Sequence, residues 1–431
     1  MQAVFPSTIR QYFQTNTSAY PLGVFRFVFG ALMIFSTLRF VYLGWIEDHY
    51  LAPVFHFKYW GFEWVEPLSA TGLYLLHGLM VLAALGVALA QRWLYRLSAI
   101  VLFLTFSYTE LIDLTYYLNH YYYVSVVCLL LCLIPSPPPP FRKGHEVPRW
   151  AIDIFKLQIT IVYVYAGLAK INYDWLVLAL PLKIWLPAHD KMPLIGFIFT
   201  WKITPYLFAW GGMLYDSTIP FFLMWRKTRP WAYVLVIIFH VMVGLLFQIG
   251  VFPLVMIGGT LIFFEFEKYI PTSKTTAPWA WPQQLLAGFL IVFFVFQLLF
   301  PWRYLLYDGN LFWTEEGYRY AWRVMLMEKA GTATFYVKDS QTGREGVVDN
   351  SEFLNPHQEK QMAMQPDMIL QFAHFLGKHY AAQGLHAPQV RAEVYVTLNA
   401  RPSRLLIDPQ VDLMKEKDTF VAKKWILPYE E

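Results

Sequence analysis

Long apolar runs broken by short polar loops fill the first 300 residues, and the pattern changes character after them. The runs begin near Leu22, Gly72, Leu97, Tyr122, Trp150, Tyr206, Trp231, Val251 and Gln284. A helix needs roughly 20 residues to cross a bilayer, so each run crosses or nearly crosses one, and about nine spans are expected. The run from Val251 to Phe264 is short and reads as a tilted, re-entrant or partly buried segment. From about Pro301 the periodicity is that of a soluble unit. Thr332 to Val337 and Glu345 to Val348 read as strands joined by a polar turn at Gln341 to Gly343. Asp367 to His379 has helical spacing, with Met368, Leu370, Phe372, Phe375 and Leu376 on or near one face, and Val390 to Leu398 alternates like a strand. The predicted fold is mostly α. A polytopic membrane helix bundle over 1–300 carries the site, and a small soluble α+β cap domain over 301–431 covers its outer face.

Composition agrees. With 57% hydrophobic and 15% charged residues, the chain is too apolar for an ordinary soluble domain. The net charge of +4 comes largely from short basic loops and implies no nucleic-acid partner. Those loops give an orientation. Arg92 and Arg96, then Arg142, Lys143 and Arg149, then Arg226, Lys227 and Arg229 share one face of a nine-span bundle. The positive-inside rule makes that face cytoplasmic, with the N-terminus inside and the cap extracytoplasmic. No basic, apolar, cleavage-site order opens the chain, so its first span reads as an uncleaved anchor. Cys128 and Cys132 are four residues apart within one span, which suits neither a disulfide nor a metal site.

Ionisable groups inside a membrane segment mark function by default. Lys170 closes the run from Trp150, and two readings fit it: a base in an apolar pocket, or a snorkelling helix anchor. Asn119 and His120 begin the fourth span, His240 lies midway along the seventh, and Gln248 lies near its outer end. The orientation brings Lys170, His120 and His240 to or below the outer face, under the cap. His120 also reads as an interfacial histidine and His240 as a helix-packing hydrogen bonder. Glu110 and Asp113 are helix-end groups or order His120, while Asp216 is expected to pair with Arg26 or Arg39. There is no phosphate-binding glycine loop, nucleophile elbow or zinc-binding HExxH pattern.

Read in order, several stretches resemble the vitamin K-dependent gamma-glutamyl carboxylase family. They are Leu111 to Tyr122, Gln158 to Trp175 (QITIVYVYAGLAKINYDW), Asp216 to Phe222 and Phe239 to Met256. In the soluble part they are Gly317 to Arg323 (GYRYAWR), Asp339 to Gly346 and Leu405 to Leu413. The resemblance runs from about Leu22 to the end and implies a shortened homologue of bacterial type, in a bacterial inner membrane. It places Lys170 at the family's base, Asn119 and His120 at an Asn-His pair linked to carboxylation, and Tyr318 with Trp313 at an aromatic pair near the reaction site. His240 matches a family histidine and is taken as substrate-binding.

The chemistry so implied begins with Lys170 deprotonating vitamin K hydroquinone, a reduced menaquinone or phylloquinone. Oxygen addition then gives a strong alkoxide base that takes a glutamate γ-proton. Carbon dioxide is captured as gamma-carboxyglutamate, and vitamin K 2,3-epoxide leaves. The implied partners are a glutamate-containing protein or peptide, the bilayer and its isoprenoid quinone, with no metal. The sequence departs from the animal enzymes in its earlier end, its lack of a lumenal disulfide, and Ala169 where they have a second lysine. Two alternatives stay open: a quinone- or lipid-modifying membrane enzyme of the same fold without peptide carboxylation, and a non-enzymatic transporter.

Overall fold

The computed structural model describes residues 6–247, 249–265 and 280–429, so Gln248 lies outside the described residues. Each of the nine apolar runs is helical. They form α1 (Tyr20–Tyr42), α2 (Ala70–Leu89), α3 (Arg92–Leu111), α4 (Asn119–Leu133) and α5 (Trp150–Ala169), then α6 (Thr204–Met224), α7 (Arg229–Leu246), α8 (Phe252–Gly259) and α9 (Trp281–Leu299). Five of them, α1, α2, α5, α7 and α9, are long and apolar enough to cross a membrane. The helices α3 and α6 have the length but carry more polar side chains, and α4 and α8 are short. Neighbours in sequence pack side by side: α1 on α2, α2 on α3, α3 on α4 and α5 on α6.

Close helix contact needs small residues where backbones meet. Gly167 of α5 is one such point, because a Cβ there would lie 2.7 Å from Ser217 N of α6. The contact sets the heights of the two helices, and both polar residues of the site lie within one turn of it.

The C-terminal part is a four-stranded antiparallel sheet of β1 (Lys329–Lys338), β2 (Glu345–Val347), β3 (Gln389–Leu398) and β4 (Arg404–Leu405), in the order β2-β1-β3-β4. The register runs from Lys329 opposite Leu398 to Lys338 opposite Gln389. Two helices, α10 (Pro356–Met362) and α11 (Pro366–Ala382), accompany the sheet. Phe335 and Val394 from the sheet meet Phe372 and Leu376 of α11 in a core separate from that of the bundle. The alternation and helical spacing read from the sequence thus select these elements, because only those periods put the apolar side chains on one face. Polar contacts seat the unit on the bundle. Arg401 and Asn399 donate to Asp174, beyond the end of α5, at 2.6 Å each, and Gln358 of α10 donates to Asp113 at 2.6 Å. Arg401 holds the Asp174 carboxyl below its ordinary value against the opposing effect of burial.

Candidate active site

Lys170 is the residue that caps α5, and its ammonium turns into the bundle, leaving 7% of the residue exposed. Nζ donates to Asp216 Oδ2 at 2.7 Å and to Ala166 O at 3.1 Å, and it lies 5.5 Å from the centre of the Trp175 ring. Asp216 projects from the middle of α6 and is buried. Gly212, one turn earlier, borders the lysine stem: a Cβ there would lie in ordinary contact with Lys170 Cε, at 3.9 Å. The snorkelling reading of Lys170 does not describe this side chain. The expectation that Asp216 pairs with Arg26 or Arg39 is also corrected. Arg26 lies near the start of α1 and donates to Ala90 O and Pro138 O at 2.7 and 3.0 Å, and Arg39 lies over the Trp45 ring.

The pair lines a chamber of about 110 Å³ whose walls include Phe208, Phe239 and Met256. His240 opens onto the same chamber. Its Nε2 is hydrogen-bonded to Tyr163 Oη at 2.8 Å, which leaves Nδ1 buried without a partner among the described residues. An orphaned ring nitrogen in a largely apolar chamber is what a polar atom of a bound ligand would satisfy.

A second chamber, of about 550 Å³, adjoins the first across Val162, Trp185, Phe252, Val324 and Met325, which line both. Asn119, His120 and Tyr318 line this larger one. The His120 ring packs 4.5 Å from Tyr121 and 5.2 Å from Phe252, centre to centre. Neither Glu110 nor Asp113 orders it; Asp113 instead binds His56, Thr115 and Gln358. Asn119 Nδ2 donates to Arg323 O at 2.6 Å, tying α4 to the soluble unit. Burial holds the Tyr318 phenol protonated well above its ordinary range. Trp313 lines neither chamber. It is buried in the core of the cap, with Nε1 donating to Leu427 O and its own carbonyl accepting from Lys329.

The partition comes from a strap, residues 318–327, that leaves the cap and crosses the bundle. Its backbone is left-handed at Tyr320 (φ 58°), Trp322 (φ 56°) and Met325 (φ 52°), each at a cost of about 1–3 kcal/mol. Neighbours hold it there: Tyr320 N donates to Tyr117 Oη at 2.7 Å, and the Trp322 ring stacks on Tyr122 at 4.8 Å. Such alternation carries no apolar period, so the sequence marks the strap only through its resemblance.

Two family models match along the chain. The HTTM domain matches residues 14–267, and the vitamin K-dependent gamma-carboxylase lumenal domain matches residues 282–431. The chain belongs to the vitamin K-dependent gamma-carboxylase family. No solved structure matches it. Membership makes this a multi-pass membrane protein with an extracytoplasmic C-terminal domain, of an enzyme family that uses vitamin K and acts on glutamate-containing substrates. Within this carboxylase-type chain, Lys170, Asp216 and His240 fall in the first match, and the strap with Tyr318 falls in the second.

Proposed function

We propose that the protein is an integral-membrane vitamin K-dependent gamma-glutamyl carboxylase and epoxidase, with its site divided between the two chambers. The observation that carries this is the buried Lys170 amine, 2.7 Å from Asp216, in an apolar chamber that also holds the unpartnered His240 Nδ1. Reduced vitamin K, when bound, supplies with oxygen a base stronger than any protein side chain. Lys170 is the base: its ammonium passes a proton to the Asp216 carboxylate, 2.7 Å away, as Nζ takes the hydroxyl proton that must leave first, so the pair ends one proton richer and Asp216 keeps Nζ oriented. His240 Nδ1 is placed to hold a second oxygen. Val324 and Met325 of the strap keep water from the chamber, as strongly basic chemistry requires.

The glutamate side chain is assigned to the larger chamber, where His120, positioned beside Asn119 at the start of α4, and Tyr318 face it. Trp313 acts on this chamber only through its backbone, by holding Lys329. Oxygen and carbon dioxide are the co-substrates, and the surrounding lipid would take up an isoprenoid tail. The nine helices are read as spans, with the N-terminus cytoplasmic, the basic loops inside, a bacterial inner membrane as the site, and a division into bundle and cap near residue 300. Of this arrangement, the family match and the five apolar helices support a multi-pass chain with an extracytoplasmic C-terminal domain; the basic loops support the orientation.

Epoxide formation by the purified full chain tests the reading, with reduced vitamin K, oxygen, a free-glutamate peptide and labelled carbon dioxide. Wild type is expected to form epoxide and label the peptide, and Lys170→Ala to lose at least about a hundredfold in both. Epoxide without label would leave an epoxidase alone, and no epoxide from folded wild type would sink the reading.

A further inference from the structure

A third cavity, of about 520 Å³, lies beyond the outer end of α5, between the start of the cap and the strap. Its lining includes Ala169 and Asn172 beside Lys170, the aromatics Tyr173, Trp302 and Tyr304, and Arg323. Arg323 also lines the 550 Å³ chamber that holds Asn119 and His120. Among the cations that line these two cavities, it alone is shared between them.

Its neighbours are matched by acids. Arg319 binds Asp367, Lys329 lies 2.8 Å from Glu315, and Arg401 lies 2.6 Å from Asp174. Among the described residues no carboxylate lies within ion-pair distance of Arg323. Its guanidinium lies over the Tyr304 ring, 4.4 Å from the centre, and its Nε is buried with no hydrogen-bond partner. Arg39 lacks a carboxylate too, but it lines the inner chamber and not the outer groove. The protonation balance shows the same contrast. Burial works against the charge on both arginines, yet Asp367 holds Arg319 above its ordinary value, while Arg323 stays lowered.

A largely buried cation without a counter-ion is costly, and it becomes favourable once an anion of the right shape arrives. The guanidinium fork matches a carboxylate with two parallel hydrogen bonds. The backbone beneath is fixed independently of the side chain, because Asn119 grips the Arg323 carbonyl. We propose that Arg323 is the specificity residue that binds the side-chain carboxylate of the substrate glutamate as it passes from the outer groove into the inner chamber. The assignment rests on the carboxylase reading above. On this assignment the site favours glutamate over glutamine, which has the same shape but brings no charge to the unpaired cation.

Short fluorescent peptides carrying either glutamate or glutamine, titrated into the detergent-solubilised full chain, measure this directly. Wild type is expected to favour the glutamate peptide by about tenfold or more, and Arg323→Gln to reduce that preference to within about twofold. Arg323→Lys keeps the charge but loses the fork, so an intermediate preference is expected. Arg401→Gln removes an arginine already committed to Asp174 and is expected to keep the full preference. In the labelling assay, Arg323→Gln should raise the peptide KM far more than it lowers kcat. A wild-type preference in Arg323→Gln overturns the assignment. Should that variant fail to fold, full preference in Arg323→Lys overturns it, and an intermediate value supports it. No preference in wild type overturns it as well. These outcomes differ from failure of the carboxylase reading, in which wild type makes neither epoxide nor labelled peptide.

Discussion

At the scale of single residues, Lys170 and Asp216 form a net-neutral pair where either charge alone would be poorly solvated. The cost of breaking such a pair exceeds the benefit of making it. Asp216→Ala is therefore expected to lose about 3–5 kcal/mol of stability, since it strands the lysine. The double variant Lys170→Met with Asp216→Leu fills the same space without charge and is expected to melt at the wild-type temperature or above, yet to form no epoxide. Thermal unfolding of the three proteins in detergent decides it; a double variant no more stable than Asp216→Ala would mean that the pair is not the stabilising unit. Half of this pair was legible. A lysine at the end of an apolar run stands out by its cost in lipid. Its partner did not, because a carboxylate on the following helix, 46 residues on, gives no spacing signal, and Arg26 and Arg39 looked equally available. The unpaired state of Arg323 was invisible for the same reason, since lacking a partner is a property of the packed molecule.

At the scale of elements, the meeting of α5 and α6 places Lys170 opposite Asp216, and Gly167 sets that meeting. Alanine favours a helix interior over glycine by about 1 kcal/mol, so Gly167→Ala would stabilise an isolated α5. In the bundle the new methyl would lie 2.3 Å from Ser217 Oγ and 2.7 Å from Ser217 N. The hydroxyl can rotate away but the backbone nitrogen cannot, so the helices must separate. Overpacking of this kind costs about 1–3 kcal/mol and outweighs the propensity gain. Gly167→Ala should therefore lower the melting temperature and, by drawing Asp216 away from Nζ, slow epoxide formation. Gly78 of α2 has nothing within 4 Å of its Cβ position, so Gly78→Ala should match or exceed wild type in both. Equal behaviour of the two variants would show that the α5–α6 contact does not set the site. Elements with a regular period were legible: the strands at Lys329–Lys338 and Gln389–Leu398 and the helix at Pro366–Ala382 lie where alternation and helical spacing put them. The strap was not, because left-handed tyrosine, tryptophan and methionine follow no pattern and are held by contacts with α4 and the loop before it.

At the scale of the whole molecule, one orientation makes the chemistry coherent. If the basic loops face the cytoplasm, the chambers and the strap lie in the outer half of the bundle. A peptide then approaches from the extracytoplasmic side, while a quinone arrives from lipid. The reverse orientation would put Lys170 on the cytoplasmic side and leave Arg142, Lys143 and Arg149 outside, against the bias that fixes such loops. Single cysteines test this once Cys128 and Cys132, the only cysteines in the chain, are replaced by alanine. Gln341→Cys lies in the exposed turn between β1 and β2, and Lys143→Cys lies in the exposed loop before α5. A membrane-impermeant maleimide added to intact cells is expected to label the first and to reach the second only after lysis. The opposite pattern would place the glutamate groove on the cytoplasmic side and end the proposal that substrate enters from outside. Labelling of both sites in intact cells, with an internal control protein unlabelled, would contradict the bundle topology, because the chain between them could not then cross an odd number of times.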